Sequence, residues 1–185
     1  MENKMKKFEL VAEMTKEFFG KKLFRIRALI SFGDVEKGDL GGWIEKEESL
    51  DQSGNAWVSG NARVYGDARV SGNARVSGNA RVYGNAWVSG DARVSGNAWV
   101  SGDAWVSGNA HFITIGPIGS ENGMLTAFRQ RDNSIVVCRG CFSGTIDEFE
   151  SAVNERHSDS VDGQIYRALI PVIKMRLADV ETEAK

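Results

Sequence analysis

Few residues here can do chemistry, and their spacing says what kind. Histidine occurs at His111 and His157 alone. Acyl transfer needs a base that titrates near neutral pH, and imidazole is the natural group, so His111 is the candidate. His157 falls at the end of an expected helix, where a cation offsets the helix dipole. The two cysteines stand in Cys138-Arg139-Gly140-Cys141, a spacing that permits a redox pair or half of a zinc site. No second Cys or His pair lies near them, so two structural thiols at the end of a strand is the plainer reading. Ser120, after Gly119, has no paired histidine, and turn chemistry explains it better than a nucleophile does. The remaining candidates are Arg63, Arg69, Arg81, Trp87, Trp99 and Trp105, with Tyr65 and Tyr83 beside them. Trp, Tyr and Arg are enriched at binding hot spots. Arg beside aromatic rings also suits a nucleotide, by phosphate pairing and base stacking.

These residues must be positioned by what surrounds them, a six-residue unit running unbroken over residues 54–110. Each unit reads Gly, Asn or Asp, Ala, Arg or Trp, Val, Ser or Tyr, with Phe112 in place of the last valine. Fixed-period self-similarity marks a solenoid. In Ala56-Trp57-Val58 the outer two residues point one way and the middle one the other. Ala and Val are apolar throughout, so they face inward and the Arg/Trp places face outward. Gly and Asn tolerate positive φ and form the corners.

The period and the Val58-Ser59-Gly60-Asn61-Ala62-Arg63 pattern resemble the hexapeptide signature of left-handed parallel β-helices. That resemblance implies three units per triangular coil of eighteen residues. Residues eighteen apart then stack at roughly 4.8 Å, the strand spacing. The outward columns become Trp57, Arg75, Arg93, His111; Arg63, Arg81, Trp99; and Arg69, Trp87, Trp105. Tyr65 stacks on Tyr83, Asn61, Asn79 and Asn97 form an amide ladder, and Asp67, Asn85 and Asp103 alternate so that no two carboxylates touch.

Outside the repeat, the 185 residues carry a net charge of −2, which does not predict bulk nucleic-acid binding. No apolar run is long enough to span a bilayer, and no apolar core follows the charged start. A cytoplasmic protein without membrane contact is expected, with no cofactor and no metal. Phe8-Glu9-Leu10-Val11 and residues 23–32 read as strands of a hairpin capping the solenoid mouth, since a bare coil end exposes core and strand edges. Gly42-Trp43-Ile44 begins an imperfect first coil, with two extra residues near Asp51-Gln52-Ser53. After Ala110 a strand leaves the solenoid, residues 116–120 turn, and two more strands meet at residues 131–134. Thr145-Ile146-Asp147-Glu148 is a capping box. A first helix buries Ile146, Phe149, Ala152 and Val153, and a second presents Ile165, Ala168, Leu169, Val172 and Ile173 on one face. The expected organisation is an N-terminal β cap (1–32), a left-handed β-helix (33–113), a C-terminal α+β domain (114–180) and a polar tail (181–185).

Gly38-Asp39-Leu40-Gly41-Gly42-Trp43-Ile44-Glu45, the repeats, and Thr114-Ile115-Gly116-Pro117-Ile118-Gly119-Ser120 with Gly140-Cys141-Phe142 resemble hexapeptide-repeat proteins of bacteriophages and prophages. Where that group would have Arg after Gly-Pro-Ile-Gly-Ser, this chain has Glu121. The resemblance implies a phage setting and the host cytoplasm. The resulting expectation is a non-catalytic binding protein, a homo-oligomer (dimer or trimer) joined along the Trp87–Trp105 seam. It would sequester a host defence protein or its nucleotide-like signal through the Arg/Trp columns. The alternatives are a structural or assembly module and a hexapeptide-repeat acyltransferase.

Overall fold

The computed structural model describes residues 5–178, so the expected polar tail at 181–185 lies outside the described residues. Strands β1 (Phe8–Phe18), β2 (Lys21–Ala28) and β3 (Leu40–Ile44) open the chain. The repeat supplies β4 (Trp57–Val58), β5 (Arg63–Val64), β6 (Arg69–Val70), β7 (Arg75–Val76), β8 (Arg81–Val82), β9 (Trp87–Val88), β10 (Arg93–Val94), β11 (Trp99–Val100) and β12 (Trp105–Val106). Four longer strands follow: β13 (Phe112–Ile118), β14 (Gly123–Arg129), β15 (Ile135–Arg139) and β16 (Phe142–Thr145). Helices α1 (Ile146–His157) and α2 (Val161–Arg176) close it.

The coil is eighteen residues long. Arg63 pairs in parallel with Arg81 and Arg81 with Trp99, while Arg69 pairs with Trp87 and Trp87 with Trp105. Trp57 pairs with Arg75 and Arg75 with Arg93 on the remaining face. Every Ala and Val of β4 to β12 and its preceding residue is fully or almost fully buried in one continuous core. The first coil is longer by two residues: Trp43 pairs with Arg63 and Leu50 bridges Val70, each twenty apart. The corners need glycine most at Gly90, where φ is +57° and a Cβ would meet the Ser107 carbonyl oxygen at 2.1 Å.

The expected hairpin cap is present. β1 and β2 pair antiparallel through a turn at Phe19 and Gly20, and β2 pairs antiparallel with β3. This hydrogen-bonds the edge that β3 would otherwise expose. Phe8 and Ile26 fill the mouth of the coil with no exposed surface. The second strand ends at Ala28, short of residue 32, and Phe32 instead turns back to bridge Val35.

At the other mouth, the sheet β13-β14-β15-β16 alternates its faces with period two. Phe128, Val136 and Cys138 join the solenoid core, while Leu125, Ala127 and Val137 face the helices. The Trp99 N–H donates to Thr126 Oγ1 at 3.2 Å, and the Arg131 N–H to the Asp103 carbonyl at 3.3 Å. Thr145 caps α1 with Glu148 reaching back, as the motif demands.

Three expectations are corrected. β13 continues through Pro117 to Ile118, and the turn comes later, where the Asn122 N–H bonds the Gly119 carbonyl. His111 does not extend an outward column, because residues Asn109–His111 close a single 3-10 turn. The buried face of α2 is Tyr166, Ile170 and Ile173, with Leu177 just beyond its end; of the expected stripe Ile173 is buried and Leu169 partly so, while Ile165, Ala168 and Val172 are exposed. α2 is apolar on more than one side, and the contacts of Tyr166 with Phe149 and His157 of α1 select the face.

Candidate functional site

The outward columns become three faces with different fates. On the first, Arg63 and Arg81 lie 4.5 and 5.1 Å from the ring of Phe18, which the β1–β2 hairpin folds over the solenoid wall. Phe18 also meets Tyr65 edge-on at 5.7 Å, and Tyr65 stacks on Tyr83 at 5.1 Å with ring planes 3° apart. Arg81 covers Trp99 at 4.8 Å. Above them Lys16 and Arg25 cover Trp43 at 4.9 and 5.2 Å. Burial, with the neighbouring Arg81 charge, lowers the pKa of Arg63, and burial raises that of Tyr65. The Nε atoms of Arg63 and Arg81 are buried without a hydrogen-bond partner. Five of the candidate residues are thus drawn together, but largely into the cap's own packing.

On the second face Trp57 is only 4 % exposed, because Phe32 covers it edge-on at 5.4 Å. Arg75 below it pairs with Asp34. Outward in the coil is therefore not outward in the molecule.

On the third face Arg69, Trp87 and Trp105 stand in register and open to solvent, with Trp87 and Trp105 40 % and 41 % exposed. Trp87 Nε1 donates to Ser71 Oγ at 3.0 Å, which fixes the indole. Two grooves flank it. One is lined by Glu47, Glu48 and Asp51 with Arg69, the other by Asp67 and Asp103 with Arg69 and Arg131.

The corner ladders form in part. Asn79 Nδ2 donates to Asn97 Oδ1 at 3.3 Å, amide to amide, and Asn85 Nδ2 to Asp103 Oδ1 at 3.1 Å, amide to carboxylate. Asp67 instead pairs with Lys46 at 2.7 Å.

The remaining chemical candidates are dispersed. His111 Nδ1 lies 3.1 Å from Ser107 Oγ and accepts the Ser107 N–H at 3.3 Å. Burial lowers its pKa, and a hydrogen bond to the Trp105 backbone works the other way. Cys138 is buried, its thiol 3.5 Å from Ser143 Oγ and its pKa raised by burial. Cys141 is exposed, and the two thiols are not bonded to each other. Among the described residues no three His, Cys, Asp or Glu side chains converge to hold a metal.

Sequence reasoning missed Phe18, Phe32 and Lys7. The Lys7 ammonium is buried against the Ser53, Gly54 and Ala56 carbonyls at 3.2, 3.4 and 2.9 Å and lies 5.0 Å from the Phe32 ring. No local pattern marks these residues, since each acts on a partner about twenty-five or more positions away.

Among the described residues no helix is long and apolar enough to cross a membrane. No curated protein matches the chain. A family model described as YdcK Beta solenoid repeat matches residues 56–72, 62–76, 68–80, 74–90, 86–102 and 92–108. The coils that carry the Arg/Trp columns are therefore similar to that β-solenoid repeat, and the architecture around them is mainly β, with an N-terminal hairpin and a C-terminal α+β unit.

Proposed function

We propose that this chain is a non-catalytic binding protein, a left-handed β-helix of phage type, and that its third face captures a protein. One observation carries the reading: Trp87 and Trp105 stand in register on one sheet, each about two-fifths exposed. Exposed indoles in a row are unfavourable in water and become hot spots once covered. The flanking grooves hold more carboxylates than guanidinium groups. Glu47 and Asp67 are already paired with Lys6 and Lys46, so Glu48 and Asp103 supply the carboxylates that favour a protein with a basic rim over the phosphates of a nucleotide. The resemblance to phage proteins supports a host defence protein, held in the host cytoplasm, as that partner. His111 spends Nδ1 on Ser107, which supports a structural rather than a catalytic role for it.

A second surface supports the homo-oligomer. Val161, Ile165, Ala168, Val172 and Met175 are exposed on α2 at intervals of four, three, four and three residues. That is the seam of a helix pair. Asp162 and Arg176 lie seven residues either side of Leu169, so an antiparallel second copy brings opposite charges together.

The test is mass photometry with native mass spectrometry of the purified protein, alone and with host extract. The expected result is a dimer that Val172→Glu converts to monomer. With extract, one identified host protein should join at fixed stoichiometry and be lost on Trp105→Ala. A bound nucleotide in place of a protein, or capture unchanged in Trp105→Ala, would overturn the reading. Binding of acyl-CoA with turnover that His111→Ala abolishes would establish the acyltransferase instead.

A further inference from the structure

Away from the solenoid, a cavity of about 200 Å³ opens between the β15–β16 turn and α1. Its wall is aromatic. Phe142 and Phe149 lie 5.4 Å apart, and Tyr166 meets Phe149 edge-on at 5.7 Å. Its polar lining comes from separate elements: Arg139 from the end of β15, Arg156 and His157 from the last turn of α1, and Glu121 and Ser120 from the β13–β14 turn.

Arg139 is built into this place. Its Nη2 donates to the Ile118 carbonyl at 2.7 Å, and its Nε is buried without a partner. The β13–β14 turn leaves room for the guanidinium only because it carries glycine at both ends. A Cβ on Gly119 would meet Arg139 Nη2 at 2.9 Å, and one on Gly123 would meet Nη1 at 2.5 Å. Arg156 is exposed, and no described residue lies within ion-pair distance of it. The His157 ring lies 5.4 Å from that of Tyr166, tilted by 52°, and lines the cavity. Two guanidinium groups and an imidazole thus line the cavity with one carboxylate, Glu121, and the aromatic wall. Guanidinium groups of this kind recognise carboxylates and phosphates. The volume is below the usual range of roughly 300–1,000 Å³ for larger ligands, so the occupant has the size of a single ring.

We infer that this cavity binds a small organic anion. Its carboxylate or phosphate is held by Arg139 and Arg156, and its planar apolar body lies against Phe142, Phe149 and Tyr166. This site is independent of the Trp87–Trp105 face, shares no residue with it, and its test reads neither partner capture nor oligomeric state.

Cys141 lines the cavity and is exposed, whereas Cys138 is 3 % exposed with a thiol pKa raised by burial. Alkylation of Cys141 in the full-length protein therefore reports on the site. The probes are iodoacetate and the neutral iodoacetamide, followed by intact mass, with phenyl phosphate or inorganic phosphate as competitors. Millimolar phenyl phosphate is expected to slow both reactions at least about fivefold, and inorganic phosphate to slow them less. The rate of iodoacetate relative to iodoacetamide is expected to fall in Arg156→Gln, an exposed position that leaves the fold intact. Phenyl phosphate protection should fall in the same variant. Equal protection by the two phosphates would overturn the apolar subsite. No protection by either, with the same reagent ratio in the wild type and Arg156→Gln, would overturn the site.

Discussion

The ring of Phe18 lies 4.5 Å from the guanidinium carbon of Arg63, although the two residues belong to different structural layers. The hairpin thereby lays an aromatic lid on the solenoid wall, touching Arg63, Arg81 and Tyr65 together. Each cation–π contact contributes about 0.5–1 kcal/mol at a site of this exposure. Phe18→Ala is expected to lower stability by about 1–2 kcal/mol in urea denaturation. No change in the denaturation midpoint would show that the lid does not hold the cap.

The tryptophans divide by face. Trp57→Ala removes a buried indole from beneath Phe32 and should cost about 3–5 kcal/mol. Trp105→Ala removes a ring that is 41 % exposed and should cost clearly less, about 1 kcal/mol. Urea midpoints of the two variants check this, and equal losses would mean that Trp105 is packed rather than displayed.

Lys7 supplies a pH signature. Burial pulls its pKa from an ordinary 10.5 down to about 8, with Asp51 partly opposing and Arg75 adding to the shift. Below about pH 8 the amine is charged in both states, and the cost of burying it is fully present. Between about 8 and 10.5 the unfolded chain still holds a proton that the folded chain has released, so stability from this group rises with pH. Urea midpoints at about pH 7.5 and about pH 10 should show a rise in the wild type that Lys7→Met lacks. Identical pH dependence in both would remove Lys7 as its source.

Two corner glycines separate backbone strain from crowding. Gly90 and Gly96 both have positive φ, but only at Gly90 would a Cβ strike a carbonyl oxygen, that of Ser107. Gly96→Ala should cost about 1–2 kcal/mol, the penalty of the left-handed conformation alone. Gly90→Ala should cost clearly more, because the stacked coil must shift as well. Thermal unfolding of the pair tests this, and equal costs would show that the coil spacing yields freely.

The six-residue period was sufficient to assign Ala56 through Val106 their inward and outward places, since stacked coils give each position the same neighbours in every turn. The hairpin over 8–28 and the Thr145 cap were legible for a similar reason, each being a local pattern of a few residues. Exposure was not legible. Trp57 and Trp105 hold the same place in the repeat, yet Phe32 covers one to 4 % exposure and the other is left 41 % exposed. The face of α2 escaped as well, because Ile165 and Ile170 are equally apolar and only contact with α1 ranks them. The cavity beside Arg139 joins four segments whose spacing carries no motif. Periodic burial is set by neighbours that the sequence repeats. Exposure and convergence are set by contacts between residues far apart in the chain, and only the tertiary structure decides which of those form.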